Sequence, residues 1–333
     1  MLFRSVQYFD LYSFDVCCLG HINLDRVKNP EEAWRLMTRF LIRATFAPVA
    51  DERQKANVRR NRRIGVGFMG YHSWLVKNGI KYSDAWNNEE IKNFFRRQKA
   101  VVDKASAEYA GQLRIPVPIK DTTLAPTGSI NNLPGCTSSM QADYAKFLIR
   151  RIQYSNSDPE LIRIREEGRY KVETSRYAAN TSVVEYVTVS QLFEEVVELR
   201  KAAILQENPE YSEAKARGLA EEYALEIIED QNDLDIEDVL SNQRMLQREY
   251  ADNSISVTVN VDPNKYQPED LMGILSHYLP DLKGVTMFPE WSMPQLPLER
   301  ITHDQLLEFQ MLGYPVERGQ AEQGCLNGAC PIK

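Results

Sequence analysis

Residues 254–261, Ser-Ile-Ser-Val-Thr-Val-Asn-Val, alternate strictly between polar and apolar positions and predict the clearest strand of the chain. The runs 180–187 and 283–288 predict two more. Residues 142–153 suit strand and helix equally. Helical spacing governs 30–46, where Trp34, Met37, Leu41 and Ala44 fall near one face and Asn29-Pro30 supplies an N-terminal signal. A basic helix is expected over 51–63, and others over 71–79 and 88–112, closed by Gly79 and Gly111. Residues 190–250 are acidic and helical, with breaks near Asn208-Pro209 and Asn232-Asp233. A further helix is expected over 268–279, and residues 114–135 alternate short extended pieces with turns. Strands separated by helices predict an α/β fold with parallel pairing. From about 313 onward the chain is rich in Gly, Glu and Gln and reads as a flexible tail.

Composition narrows the class. The 333 residues are 43% hydrophobic and 26% charged, which is a globular balance. A net charge of −7 and a pI near 5.4 argue against general binding to a nucleic-acid polymer, though not against nucleotides. No apolar run approaches the roughly 18–20 residues that span a bilayer, and no apolar stretch of a signal peptide follows Arg4. A cytoplasmic protein, without membrane contact, is expected. Five cysteines in such a chain suit catalysis, metal binding or inert packing better than a disulfide framework. Structural-zinc spacings are missing and His21, His72, His277 and His303 are scattered, so no metal site is expected.

Candidate chemistry gathers in a few segments. Cys325 and Cys330 stand five residues apart with a glycine between them and no bulky β-branched side chain. Such a pair can close into a small disulfide ring and reopen, and on a mobile end it can carry electrons from one place to another. Two incidental thiols are the plainer reading. About 17 residues separate Gly313 from Cys330, a reach of roughly 55–60 Å when extended. In Leu124-Ala-Pro-Thr-Gly-Ser-Ile130 small and hydroxyl residues surround a glycine, a composition suited to a phosphate group but also to an ordinary turn. Gly65, Gly67 and Gly70 have dinucleotide-loop spacing, yet a basic helical segment precedes them where a strand belongs. Close backbone packing is the better reading there. Cys17-Cys18 reads either as a buried pair of small apolar residues or as reactive thiols, and Cys136 as an inert loop cysteine.

Taken in order, several segments resemble a ribonucleotide reductase catalytic chain. They are Arg60-Asn-Arg-Arg-Ile-Gly-Val-Gly-Phe-Met-Gly70, Leu124-Ala-Pro-Thr-Gly-Ser-Ile130, Gly135-Cys-Thr-Ser-Ser139, Tyr250-Ala-Asp-Asn-Ser-Ile-Ser-Val-Thr-Val259 and the Cys325–Cys330 tail. The resemblance is nearest to the adenosylcobalamin-dependent class II, through Thr122-Thr-Leu-Ala-Pro-Thr-Gly128, Leu148-Ile-Arg-Arg-Ile-Gln-Tyr154 and Asn180-Thr-Ser-Val-Val-Glu185. The class with a separate radical-generating subunit relays a radical through adjacent tyrosines. Met287 and Phe288 stand in the matching place, and neither has a phenol to oxidise.

The resemblance implies roles. Cys17 matches one of two active-site thiols that reduce a ribonucleoside triphosphate; Cys325 and Cys330 would restore it and be reset by thioredoxin or a similar dithiol. Ala125, Pro126, Thr127, Gly128 and Ser129 resemble the loop that holds substrate phosphates. The cofactor implied is adenosylcobalamin. The family's radical cysteine lies in an Asn-x-Cys-x-Glu motif about ten residues before the matching thiol, and Leu2–Asp10 contains neither Cys nor Glu. The other thiol and the allosteric region belong further upstream. The chain thus resembles the C-terminal half of a ten-stranded α/β barrel with a flexible C-terminal tail, inactive without a missing N-terminal half as partner. On this reading 1–12 is foreign to the family, 13–312 is the half-barrel with a helical insertion at about 206–243, and 313–333 is the redox-active tail. The alternatives are a class I large-subunit fragment and a non-catalytic nucleotide-binding or thiol module.

Overall fold

The computed structural model describes residues 6–7, 13–128, 130–289 and 294–319. Its strands are β1 (Val6–Gln7), β2 (Cys18–Asn23), β3 (Ile64–Met69), β4 (Phe147–Ser155), β5 (Lys171–Thr174), β6 (Thr181–Ser190), β7 (Thr258–Val261), β8 (Gly284–Pro289), β9 (Leu298–Arg300) and β10 (Val316–Gly319). Its helices are α1 (Pro30–Ala44), α2 (Glu52–Asn61), α3 (Tyr71–Lys77), α4 (Tyr82–Ala85), α5 (Glu89–Leu113), α6 (Pro159–Glu167), α7 (Gln191–Glu207), α8 (Glu213–Ile227), α9 (Ile236–Glu249), α10 (Pro268–Tyr278) and α11 (His303–Met311). None of these helices is long and apolar enough to cross a membrane. The chain divides into two compact units, 1–142 with 234–290 and 143–233 with 291–333. Those boundaries differ from the ones expected at 12, 206, 243 and 312.

The first unit is a strip of parallel strands in chain order. β2 pairs with β3 from Cys18–Ile64 to Asn23–Met69. Single parallel bridges then join Val66 to Thr122 and Leu124 to Ile255, and β7 pairs in parallel with β8. Helices connect these neighbours, α1 and α2 between β2 and β3 and α10 between β7 and β8, as parallel pairing requires. β1 adds an antiparallel edge to β8. Among the described residues the strip does not close on itself. The strict alternation at 254–261 yields a ladder only over Thr258–Val261. Before it the chain meets the 122–124 segment through separate contacts, with Asn253 N–H donating to the Thr122 carbonyl and Ser256 N–H to the Leu124 carbonyl.

Alternation along β3 sorts its two faces. Ile64, Val66 and Phe68 are fully buried toward the helices, where Phe68 stacks on Phe95 at 4.9 Å and lies 5.5 Å from the Tyr250 ring. The Tyr250 hydroxyl accepts from Trp34 Nε1 and donates to the Val66 carbonyl, both at 2.9 Å. Such a buried hydroxyl with both capacities satisfied locks helix α1 to the strip. On the opposite face Gly65 and Gly67 admit no side chain. A Cβ on Gly67 would stand 2.7 Å from the Thr123 carbonyl oxygen, a backbone atom that cannot swing away. The Gly-x-Gly-x-x-Gly run therefore serves close packing, as expected. Its third member, Gly70, turns the chain at φ +82° into α3. Gly111, expected to end a helix, lies inside α5; Arg114 in the left-handed region closes it by donating N–H to the Ala110 and Gly111 carbonyls.

The second unit departs from parallel pairing. β4 runs antiparallel to β6 along its whole length and to β9 on its other side. β5 and β10 share the far edge of β6, antiparallel along Ser182–Glu185 and parallel along Val187–Ser190. Of the ambiguous segment 142–153, residues 147–153 lie in strand β4. α7 and α8 pack as a pair, with Ala216, Ala220 and Ala224 buried at four-residue spacing. Within the segment expected to be a flexible tail from 313, Val316–Gly319 forms hydrogen-bonded strand β10, and 320–333 lie outside the described residues. Arg150 also reaches Glu317 at 3.3 Å, and Arg318 reaches Glu194 at 2.9 Å.

Substituting Gly67→Ala is expected to lower unfolding free energy by about 1–3 kcal/mol, since backbone rather than a movable side chain must yield. A urea titration monitored by circular dichroism checks this; an unchanged midpoint would contradict the close-approach account.

Candidate functional site

The glycine-cleared face of β2 and β3 carries Cys17. Its Sγ lies 3.2 Å from where a Gly65 Cβ would stand, beside Leu19 Cδ2 and Thr123 Cγ2. Cys18 turns the other way and packs against the helix-side core. The period of two therefore separates the adjacent thiols onto opposite faces. Burial pushes the Cys17 thiol up to about 12, against the pull of Arg63 and with a push from Cys18 and Asp15. Burial raises Cys18 as well.

The segment before Cys17 is held by a buried polar node. Asp15 Oδ2 accepts from Asn61 Nδ2 at 2.8 Å and pairs with Arg63 Nε at 3.4 Å; both side chains of that pair are almost wholly buried. Asp15 Oδ1 accepts from the Val16 N–H. Arg63 Nη1 donates to Asn253 Oδ1 at 2.9 Å. Asn253 Nδ2 in turn donates to the carbonyls of Ile64 and Thr122 at 3.2 and 2.9 Å. Two of the sequence segments singled out for resemblance, 60–70 and 250–259, thus meet at one point.

Strand residues 122–124 lead into the loop expected to hold phosphate. Thr122 Oγ1 donates to the Tyr250 carbonyl at 2.6 Å, and Thr123 Oγ1 to the Ser254 carbonyl at 2.9 Å. Ala125 and Gly128 are half-buried and Pro126 is exposed. Thr127 is buried; its hydroxyl oxygen accepts from the Ser139 N–H at 2.7 Å and its carbonyl from the Asn131 N–H at 3.0 Å. Thr127 therefore shapes the loop from within. Ser129, Cys325 and Cys330 lie outside the described residues. Near the same strand the carboxylates of Asp103, Asp121 and Asp252 come within 4.8 Å of one another, with Lys99 paired to Asp103 and Asp252. Burial raises Asp121 to about 7 although Ser106 donates to it. Met287 is buried in the core of this unit and Phe288 is half-buried.

His21 was passed over in the sequence because its neighbours gave it no metal-ligand spacing. It lies on the same face as Cys17, with Cδ2 and Nε2 at 2.9 and 3.0 Å from the Gly67 Cβ position. Burial lowers its pKa to about 4, so the ring is neutral near pH 7. The signal that could have found it is its place four residues after Cys17 on a strand, opposite the second glycine.

Residues 5–118 match the model of the ribonucleotide reductase barrel domain, which begins inside the segment expected to be foreign. The chain is 38% identical, over 97% of its length and 45% of the relative's, to a Mycobacterium phage D29 protein named as an adenosylcobalamin-dependent ribonucleoside-triphosphate reductase. It is 27% identical to the enzyme so named from Levilactobacillus brevis, over 91% of this chain and 41% of that one. The crystal structure of a B12-dependent class II ribonucleotide reductase superposes with a TM-score of 0.66 at 22% identity, covering 90% of this chain and 40% of that one. The chain thus spans less than half the length of the curated relatives it matches.

Two measurements probe the face. At pH 8 the thiolate fraction of Cys17 should be roughly a thousandfold below that of an open thiol of pKa 9. Iodoacetamide labelling followed by mass spectrometry should show Cys17 reacting correspondingly slowly, with a rate still rising above pH 10; a plateau at pH 9 would contradict the burial. His21 is neutral in the fold down to about pH 4 but protonates near 6.5 when unfolded, so its contribution to stability is present above 6.5 and lost as pH falls toward 4. Wild type should therefore lose more stability than His21→Gln across that window in parallel urea titrations; equal slopes would count against a buried neutral ring.

Proposed function

We propose that the chain belongs to the ribonucleotide reductase family and is the C-terminal part of an adenosylcobalamin-dependent ribonucleoside-triphosphate reductase. The reaction replaces the ribose 2′-hydroxyl by hydrogen. Two thiols lose two hydrogens and become a disulfide, and the hydroxyl leaves as water. The observation that carries this reading is the placement of Cys17 on the cleared face of the parallel strip, whose third strand runs into the 125–129 loop. Five consecutive parallel segments support half of a ten-stranded barrel, with the remaining strands in a missing N-terminal half.

Within the proposal Cys17, not Cys18, is the reducing thiol, because Cys17 lies on the glycine-cleared face while Cys18 packs into the core. Gly128 and Ser129, with Ala125, Pro126 and Thr127 as frame, hold the substrate phosphates. Cys325 and Cys330 return electrons to the site and are reset by thioredoxin or a similar dithiol, in a cytoplasmic setting where thiols remain reduced. Adenosylcobalamin supplies the initiating radical when bound. Met287 and Phe288 fit that source, since neither offers a phenol for a radical arriving from another subunit.

The chain alone should show no turnover of CTP or ATP with adenosylcobalamin and thioredoxin. Supplied with the missing half, it should gain activity. Cys17→Ser should abolish even a single turnover while Cys18→Ser preserves it. Cys325→Ser/Cys330→Ser should retain one turnover from the pre-reduced site and lose thioredoxin-driven cycling by at least about a hundredfold. Full cycling by the unassisted chain, or a Cys17→Ser variant with normal rates, would overturn the proposal.

A further inference from the structure

The reaction just proposed leaves one polar group of the cleared face unused. His21 pairs in register with Gly67. Its Nε2 is buried and has no hydrogen-bond partner among the described residues. Buried polar atoms are almost always satisfied, so one left open beside a face cleared by glycines points to a ligand. The imidazole is neutral, which leaves one ring nitrogen to donate and the other to accept.

Position along the strip indicates which part of a ligand it meets. Cys17 lies just before β2, near the level of Gly65, while Gly67 and Thr123 mark the level of His21. With a rise of about 3.3 Å per residue, the His21 ring stands roughly 7 Å beyond the Cys17 sulfur, and Ala125 begins the loop about 7 Å beyond Thr123. His21 therefore sits between the thiol and the loop. A nucleoside triphosphate with its ribose at Cys17 and its terminal phosphates at the loop passes its 5′ side across this ring. Leu19, the one side chain between them on β2, lies over Gly65 and contributes no polar atom.

We infer that His21 is a substrate-binding residue whose Nε2 donates a hydrogen bond to an oxygen of the nucleotide's 5′-phosphate chain, an assignment that rests on the reductase reading. A neutral donor suits this place, because it binds the anion without bringing a charge beside a thiol that must keep its proton. It also accounts for the paired glycine: a side chain at position 67 would occupy the space that Nε2 faces.

The test is nuclear magnetic resonance on the full 333-residue chain, labelled with 15N, titrated separately with ATP, adenosine and inorganic tripolyphosphate. ATP should shift the Gly128 amide and the His21 imidazole together, and tripolyphosphate should reproduce part of the His21 shift. Adenosine should leave His21 unmoved. His21→Gln, which retains a donor, should weaken ATP binding less than about threefold, and His21→Phe at least tenfold. A Gly128 shift with no change at His21, equal ATP affinity in the Phe variant, or a His21 shift of the same size with adenosine would each overturn the assignment while leaving the reductase reading intact. No shift at either residue at millimolar ATP would instead count against nucleotide binding by this chain and so against the reading beneath it.

Discussion

Asn253 holds the first unit together where its sheet is thinnest. The strip is joined in the middle by two single-residue bridges rather than continuous ladders. At that point the Asn253 side chain donates to carbonyls on two neighbouring strand segments, while its own N–H bonds Thr122 and its oxygen receives Arg63. Arg63 passes the restraint to Asp15, two residues before the thiol. A buried ion pair of this kind gains little over apolar packing by itself, but removing either partner leaves an uncompensated charge. Here its partners are fixed by amides from the end of helix α2 and from the segment before β7, so the pair positions more than it stabilises. Thiol, central strand and the root of the 125–128 loop all depend on the same few hydrogen bonds.

The glycine-cleared face is electrically quiet. Cys17 is held as a protonated thiol and His21 as a neutral ring, both by burial. A protonated sulfur keeps a hydrogen available for transfer, whereas a thiolate would be poised for nucleophilic exchange. The same burial slows thiol–disulfide exchange at Cys17, since the attacking species in that reaction is the thiolate.

Much of this was readable in the residues. The alternation in 254–261 and the paired glycines of 65–67 report two-sided strands directly, and their order along the chain matches the order of strands in the strip. Other parts were hidden for identifiable reasons. Phe147, Leu148 and Ile149 form a continuous apolar run before alternation begins, so helix and strand looked alike until pairing with β6 decided it. Gly111 looked like a helix stop, but the left-handed turn is made by Arg114. Thr127 read as an open phosphate donor, yet its hydroxyl accepts a bond from a backbone amide twelve residues away, which no local pattern reveals. His21 had no periodic neighbour to mark it, and its meaning came only from the glycine across the strand.

The strand at Val316–Gly319 seals part of a sheet edge in the second unit. Gly319 is paired with Ser190, and a side chain there would press within 3.0 Å of Thr188. Together β5 and β10 occupy the far edge of β6 along Ser182–Glu185 and Val187–Ser190, so no further strand can add to β6 there.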